Sequence, residues 1–386
     1  MKKSWKKVVT LTLVSCMTAA MFAGCGKKEE AKDVFMIGSI GPLTGEAAIY
    51  GQAVKNGAEI AVKEINDAGG INGKLIEFKM EDDVHEAEKS VNAYNNLKDW
   101  GMKILMGTVT SDPGIAVVEE THADNMFQLT PSGSAVDAIK YDNAFRVCFS
   151  DPNQGFGASK YIGENGLATK VAVIYDSSDP YSTGIYETFA AEAKNQNFEI
   201  VATEAFTSDS NTDFKVQLTK AQESGAELVF LPIYYESAAL ILSQSKDIGY
   251  APKFFGCDGL DGLLTLKNFD TSLAEGVMLL TPFAADATDD LTTSFVAKYK
   301  EAYGETPNQF AADAYDAMFI IKAAIEKGNV TPDMSISDIS DALKVAMTEI
   351  TYNGLTGDNM TWSVEGEPNK APRAVVITNG TYTAME

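Results

Sequence analysis

The sequence predicts an α/β protein of two lobes, each a doubly wound parallel sheet, joined by a hinge that the chain crosses several times. Three observations carry this. Short β-rich runs alternate with helical stretches through most of the chain, the pattern of a parallel sheet covered on both faces. The folded part, about 350 residues, exceeds what one hydrophobic core comfortably holds. Near the end the alternation stops: three helical stretches in a row precede two late strand runs, so the chain returns to the first lobe before it finishes in the second.

Taken in order, residues 1–24 come first. They carry lysines at 2, 3, 6 and 7, then an apolar run from Val8 to Gly24 of only 17 residues, then Cys25. This reads as a secretory signal peptide, since an uncleaved membrane span needs a longer run. The stretch FAGC (Phe22 to Cys25) resembles the lipobox of bacterial lipoproteins, with Phe22 where leucine is usual, which makes Cys25 the expected lipidation site. Residues 25–33 are short, charged and without apolar periodicity, as a tether should be. Removing the first 24 of 386 residues leaves 362, and losing four lysines takes the formal charge from −23 to −27. So acidic a chain repels nucleic acid.

From Val34 the strand runs are VFMIGSI, KLIEFKM, KILMG, MFQLT, FRVCF, KVAVIY, ELVFLP, PKFFG and GVMLL. Between the first two, Val54, Ala58, Ala61, Val62 and Ile65 form one apolar stripe of a helix over Glu46 to Ala68, ended by Gly69 and Gly70. The loop before that helix holds Gly41, Gly45 and Gly51. A glycine-rich turn from strand to helix can cradle a phosphate, but no G-x-G-x-x-G or Gly-Lys-Ser/Thr is present. After GVMLL, helices are predicted over LTTSFVAKYKEAYG, NQFAADAYDAMFIIKAAIEKG and ISDISDALKVAM, then strands RAVVIT and TYTAM. The lobes expected are 34–149 with 282–373, and 150–281 with 374–386.

Catalytic signatures are missing. The two histidines, His85 and His122, lie in polar helical stretches as surface imidazoles, and Glu81 to Asp83 reads as a solvated loop start. There is no Gly-x-Ser-x-Gly elbow or His-Glu-x-x-His helix. Outside the signal and Cys25, only Cys148 and Cys257 remain, without Cys-x-x-Cys spacing, and read as buried thiols at strand ends. No enzyme, metal or cofactor is implied.

Ligands of open α/β sheets bind beyond the carboxyl ends of the strands, where this chain keeps polar groups. MGTVTSDPG offers Thr110 and Ser111 ahead of a helix with Asp112 as its cap and Pro113 in its first turn, and LTPSGSAVD offers Ser132 and Ser134 ahead of another. Each serine can be an ordinary cap; together they suit a carboxylate. The second lobe offers Tyr181 in a turn before a helix, Tyr234 just past a strand, and Asp258 between glycines. Asp258 can be a turn residue or can hold an ammonium group among aromatic walls.

These stretches resemble the solute-binding proteins of branched-chain amino-acid ABC transporters, the leucine/isoleucine/valine-binding family with the periplasmic-binding-protein type I fold. The resemblance runs from IGSIGPLTGEAAIYGQAVKNGAEIAVKEINDAGGINGKLIEF through GTVTSDPG, LTPSGSA, FFGCDG and FAADAYDA. It implies that the opening glycine loop lines a ligand cleft with Tyr50. It further implies carboxylate contacts at Ser111 and Ser134, a backbone contact at Ser132, and an ammonium contact at Asp258. Cleft aromatics fall at Tyr181 and Tyr234, an apolar wall at Phe310, and Val109 with Thr110 beside the side-chain pocket. Ser134 stands where threonine is frequent, Asp258 is shorter than the glutamate of some leucine binders, and Thr110 replaces a more apolar residue, so amino-acid binding is expected rather than strict leucine specificity. The implied protein is a monomer held at the membrane by lipid on Cys25 and working with ABC permease subunits. A ligand sensor for a receptor, and a same-fold binder of an amide, urea or aromatic acid, are the alternatives.

Overall fold

In a computed structural model, described here over residues 33–385, strand β1 (Phe35–Gly41) is buried along its whole length, as befits a strand with covered faces. Cys25, the signal peptide and the tether up to residue 32 lie outside the described residues. Helix α1 (Ala48–Asp67) buries Val54, Ala58, Ala61 and Ile65 against the sheet. Beyond it Gly69 and Gly70 take φ of +99° and +79°, values that cost glycine little because it has no Cβ. A Cβ on Gly51 would stand 1.9 Å from the Pro42 carbonyl oxygen. That glycine is what lets the loop after β1 lie down on α1.

The first sheet has five parallel strands: β2 (Ile76–Asp82), β1, β3 (Ile104–Met106), β4 (Gln128–Thr130) and β5 (Ala144–Arg146), in the order β2-β1-β3-β4-β5. The second has seven strands. Its parallel part runs β7-β6-β8-β9-β10, with β6 (Lys170–Asp176), β7 (Glu199–Phe206), β8 (Leu228–Leu231), β9 (Lys253–Gly256) and β10 (Met278–Thr281). The late strands β11 (Arg373–Thr378) and β12 (Thr381–Ala384) add an antiparallel pair beside β10. Both parallel series thus have the same strand order. β7 was not foreseen, because it is an edge strand whose one fully buried residue is Phe206.

Helices α2 (Ala87–Trp100) and α3 (Ser111–Ala123) belong to the first series, and α4 (Asp151–Glu164), α5 (Pro180–Ala193), α6 (Lys215–Glu223) and α7 (Tyr235–Asp247) to the second. The chain then returns. Helices α8 (Asp290–Tyr303), α9 (Gln309–Gly328) and α10 (Ile336–Met347) fall on the predicted stretches, and α9 lies against α1 so closely that a Cβ on Gly57 would meet the Ala311 carbonyl oxygen at 2.0 Å.

The return segment is bolted to the first crossing. Lys370 and Asp313 form a buried ion pair at 3.0 Å, their side chains 2% and 3% exposed. The Lys370 ammonium also donates to the Val147 carbonyl at 3.1 Å and to the Thr356 hydroxyl at 2.7 Å. The Trp362 indole N–H donates to the Arg146 carbonyl at 2.8 Å. Among the described residues, no helix is long and apolar enough to cross a membrane.

Candidate functional site

A strand order of this kind reverses direction between β1 and β3, and again between β6 and β8, so the loops there part and leave a crevice at the carboxyl ends. The two crevices face each other. Between them lies a small pocket lined by Tyr50, Val109, Thr110, Ser111, Ser132, Ser134, Tyr181, Tyr234, Asp258 and Phe310, with Gly259. All ten residues singled out from the sequence therefore meet at one place.

The first lobe supplies hydroxyls. Helix α3 starts at Ser111, because Thr110 is extended and the Gly114 N–H closes the first turn on the Thr110 carbonyl at 3.1 Å. Asp112 is thus inside the helix and not its cap, as the sequence had suggested. Ser134 precedes only a short 3₁₀ turn, Val136–Ile139. The two loops are sewn together: the Ser111 hydroxyl accepts from the Ala135 N–H at 3.1 Å, and the Ser132 hydroxyl donates to the Val109 carbonyl at 2.7 Å. Behind them the buried Arg146 donates to the carbonyls of Gly133 (3.1 Å), Ser134 (2.5 Å) and Ala135 (3.0 Å) and lies 3.3 Å from Glu367. With those carbonyls held at the back, the hydroxyl side of the loop and the N-terminus of α3 face the cavity, an arrangement that suits a small anion. Arg146 escaped the sequence reading, although a lone arginine within FRVCF was the available signal.

The second lobe supplies an acid. Asp258 is 4% exposed. Its carboxylate accepts from the Tyr181 hydroxyl at 2.7 Å, its N–H donates to Gln154 Oε1 at 3.1 Å, and its carbonyl accepts from Gln309 Nε2 at 2.9 Å. Burial outweighs those hydrogen bonds and pushes its carboxyl up to about 7. A cation beside it would bring that value down again.

Aromatic rings form the walls. Tyr50 lies 4.3 Å from Phe310 and 5.5 Å, edge on, from Tyr234, which stacks on Tyr181 at 4.8 Å. The Tyr50 hydroxyl donates to the Gly259 carbonyl and accepts from the Tyr235 N–H at 3.2 Å, so a first-lobe side chain is fastened to the second.

His85 corrects the sequence reading: it is no surface imidazole. Its Nδ1 is 2.9 Å from the Thr110 hydroxyl and its ring stands edge on to Tyr234. The cause is local. Val84 and His85 both take positive φ, fixed by Asp82 and Asp83 accepting their N–H groups at 3.0 and 2.9 Å. Those two acids are therefore no solvated loop start. Asp83 is fully buried, and Asp82 also receives the Leu43 N–H and Thr44 hydroxyl of the loop after β1. His122 is exposed and stacks on Tyr141, and the free thiols Cys148 and Cys257 are buried. Outside His85 and Tyr234 opens a wider mouth whose acids include Glu46, Asp112, Asp176, Asp179 and Glu236. Among the described residues, no cluster of three or more His, Cys, Asp or Glu could hold a metal ion.

The buried acids set a pH dependence. Burial raises Asp83 and Asp258 to about 7 and Asp261 to about 6. A carboxyl whose folded value is raised contributes stability that is complete below its unfolded value of about 3.9 and is lost as pH rises through the folded one. The cargo-free protein should therefore melt at a lower temperature at pH 8 than at pH 5.5, and Asp258→Asn should narrow that difference. Scanning calorimetry at the two pH values checks this; a melting temperature that holds or rises toward pH 8 contradicts it.

Comparison with known proteins agrees with this architecture. Residues 35–381 match the family model described as periplasmic binding protein. A Leu/Ile/Val-binding protein, BraC3, of Rhizobium johnstonii is 30% identical over 91% of this chain and 94% of its own length. Leu/Ile/Val-binding protein homolog 3 of Brucella melitensis is 31% identical over 88% of this chain and 93% of its own. Among solved structures, the branched-chain amino acid transporter substrate-binding protein LivJ of Streptococcus pneumoniae, in complex with isoleucine, superposes with a TM-score of 0.82 at 27% identity, covering 91% of this chain and 98% of the other.

Proposed function

This chain belongs to the periplasmic binding protein family, and from that premise we infer that it captures an amino acid between its lobes, outside the cytoplasm, and delivers it to the permease of an ABC transporter. One observation carries the reading: one pocket between the lobes has hydroxyls and a helix N-terminus at one end, a buried acid at the other, and aromatic rings between. A zwitterion with an apolar side chain satisfies all three at once.

In this reading Ser111 and Ser134 hold the cargo carboxylate with help from the backbone at Ser132, and Asp258 takes the ammonium. Tyr50, Tyr181, Tyr234 and Phe310 enclose the side chain, and Val109 and Thr110 border its pocket. The Leu/Ile/Val-binding relatives and the isoleucine complex support a branched-chain or similarly apolar amino acid. The acidic mouth disfavours a cargo that is only an anion. The lobes, 34–149 with 282–373 and 150–281 with 374–386, swing about the crossings. Cargo that touches both stabilises the closed form, which the permease then meets. The protein acts as a monomer, lipid on Cys25 anchors it to the cell membrane, and no cofactor takes part.

Screening the twenty amino acids by thermal shift tests the reading. A ligand that binds only the folded state adds roughly 2.7 kcal/mol at a hundredfold excess over Kd, and leucine, isoleucine and valine should give the largest shifts. If none of the twenty at millimolar concentration raises the melting temperature, amino-acid capture is wrong, and urea, amides and aromatic acids are the next cargoes to screen.

A further inference from the structure

Two consecutive residues between β2 and α2, Val84 and His85, hold φ of +53° and +62°. Glycine takes such values freely and histidine tolerates them, but for a β-branched valine they are an outlier. The turn is nevertheless fixed from several sides. Asp82 accepts the Val84 N–H and Asp83 the His85 N–H. The buried Asp83 donates its own N–H to the Gly41 carbonyl at 3.3 Å, and Gly45 lies so near that a Cβ on it would stand 3.0 Å from Val84 Cγ1. An unfavourable backbone that its surroundings hold in place commonly marks a functional position. What this one positions is the His85 ring.

That ring stands between two spaces. On one side is the small pocket: His85 Nδ1 is 2.9 Å from the Thr110 hydroxyl, the imidazole is edge on to Tyr234 with ring centroids 5.3 Å apart, and Thr110 and Tyr234 both line the pocket. On the other side is the acidic mouth, an open hollow of about 300 Å³ that His85 and Tyr234 also line. Its acids come from both lobes, Glu46 and Asp112 from the first and Asp176, Asp179 and Glu236 from the second, and among the described residues no lysine or arginine lines it. Burial pushes the His85 imidazole below its ordinary value, although Asp112, Glu46 and Asp176 draw it up. At neutral pH the partition is therefore an uncharged ring, and it does not neutralise the acids beyond it.

Resting on the amino-acid reading above, we propose that His85 determines specificity: it closes the side-chain end of the pocket at Thr110 and Tyr234, which keeps the cargo short and apolar, and removing it joins the pocket to the mouth and admits a cationic side chain. A chain too long for the pocket meets the imidazole before it meets any acid. Once past that point, an ammonium group finds carboxylates with no protein cation among them, a field that draws positive charge. His85 acts here as a partition and through Thr110 and Tyr234, not as a group that chooses the cargo backbone.

Calorimetric titration of wild type, His85→Gly and His85→Asn with leucine and lysine tests the proposal. Both substitutions suit a positive φ, and both shorten the side chain. Wild type should bind leucine and discriminate against lysine. In His85→Gly the ratio of lysine to leucine affinity should rise by about tenfold or more, the effect of one hydrogen bond to a charged group. His85→Asn should move the ratio the same way by a smaller factor, and it serves if the glycine variant folds poorly. The ratio is the informative quantity, because a residue that merely shapes the loop would weaken both ligands together. Equal losses for leucine and lysine in both variants, or a ratio that stays at its wild-type value, overturn the proposal while leaving amino-acid capture in place. Wild type that binds lysine as tightly as leucine overturns it too, since the partition then excludes nothing. If wild type binds no amino acid at all, the reading beneath it fails as well.

Discussion

Asp258→Ala is expected to weaken binding of the preferred amino acid by about thirtyfold or more. Leaving one member of a desolvated charge pair without its partner costs on the order of 2 to 5 kcal/mol, and every 1.4 kcal/mol is about tenfold. Asp258 meets the conditions for a value in that range. It is nearly inaccessible, its carboxylate is steadied by the Tyr181 hydroxyl, and its backbone is pinned through Gln154 and Gln309, so little rearrangement can make good the loss. The cargo-free protein should not suffer at pH 8, because burial already opposes ionisation of this acid. The matching 2-keto acid should bind wild type poorly and lose much less on the same substitution. Calorimetry on the four combinations gives the coupling. Undiminished binding of the amino acid by Asp258→Ala would remove Asp258 from the site and, with it, the need for an amine.

Lys370→Met should lower the free energy of unfolding by about 3 to 5 kcal/mol. The substitution strands Asp313 in the interior with Thr356 as its remaining neighbour, and it also removes donors to the Val147 carbonyl and the Thr356 hydroxyl. Burial already works against ionisation of Asp313, and Lys370 is the main force opposing it. Adding Asp313→Asn to Lys370→Met should recover more than half of the loss, since an uncharged amide tolerates the site better than an unpaired carboxylate. Urea denaturation of the four proteins, with the slope held constant, measures this. A Lys370→Met protein as stable as wild type would mean that the return segment is not fastened to the first crossing by this pair.

How far the sequence could be read depended on whether a feature was local. α1, α9 and the strands buried on both faces announced themselves, since periodicity and capping glycines are written within a few consecutive residues. β7 was silent, because an edge strand exposes much of itself and loses the apolar run that marks a strand. Thr110, Ser111, Ser132, Ser134, Tyr181, Tyr234 and Asp258 stood out because they come soon after strand runs, where the topology must place them, whereas Tyr50, Val109 and Phe310 came only with the family resemblance. The rest depended on contacts across the chain. His85 looked like a helical surface residue until Asp82 and Asp83 turned the backbone under it. Arg146 lies inside an apolar strand and reveals its purpose only through carbonyls 13 to 11 residues earlier, those of Gly133, Ser134 and Ala135.

Tyr50 fastens the first lobe to the second by two hydrogen bonds made between protein groups alone, and this bears on the protein as an engineering scaffold. A fluorescent sensor built on lobe closure reads the difference between empty and loaded shapes, so every empty molecule that is already shut raises the background. A latch of this kind also raises apparent affinity, because a larger share of the population is competent before ligand arrives. Tyr50→Phe keeps the ring that packs on Phe310 and Tyr234 while giving up the hydroxyl. It would therefore trade some affinity for dynamic range, leaving Ser111, Ser134 and Asp258 in place.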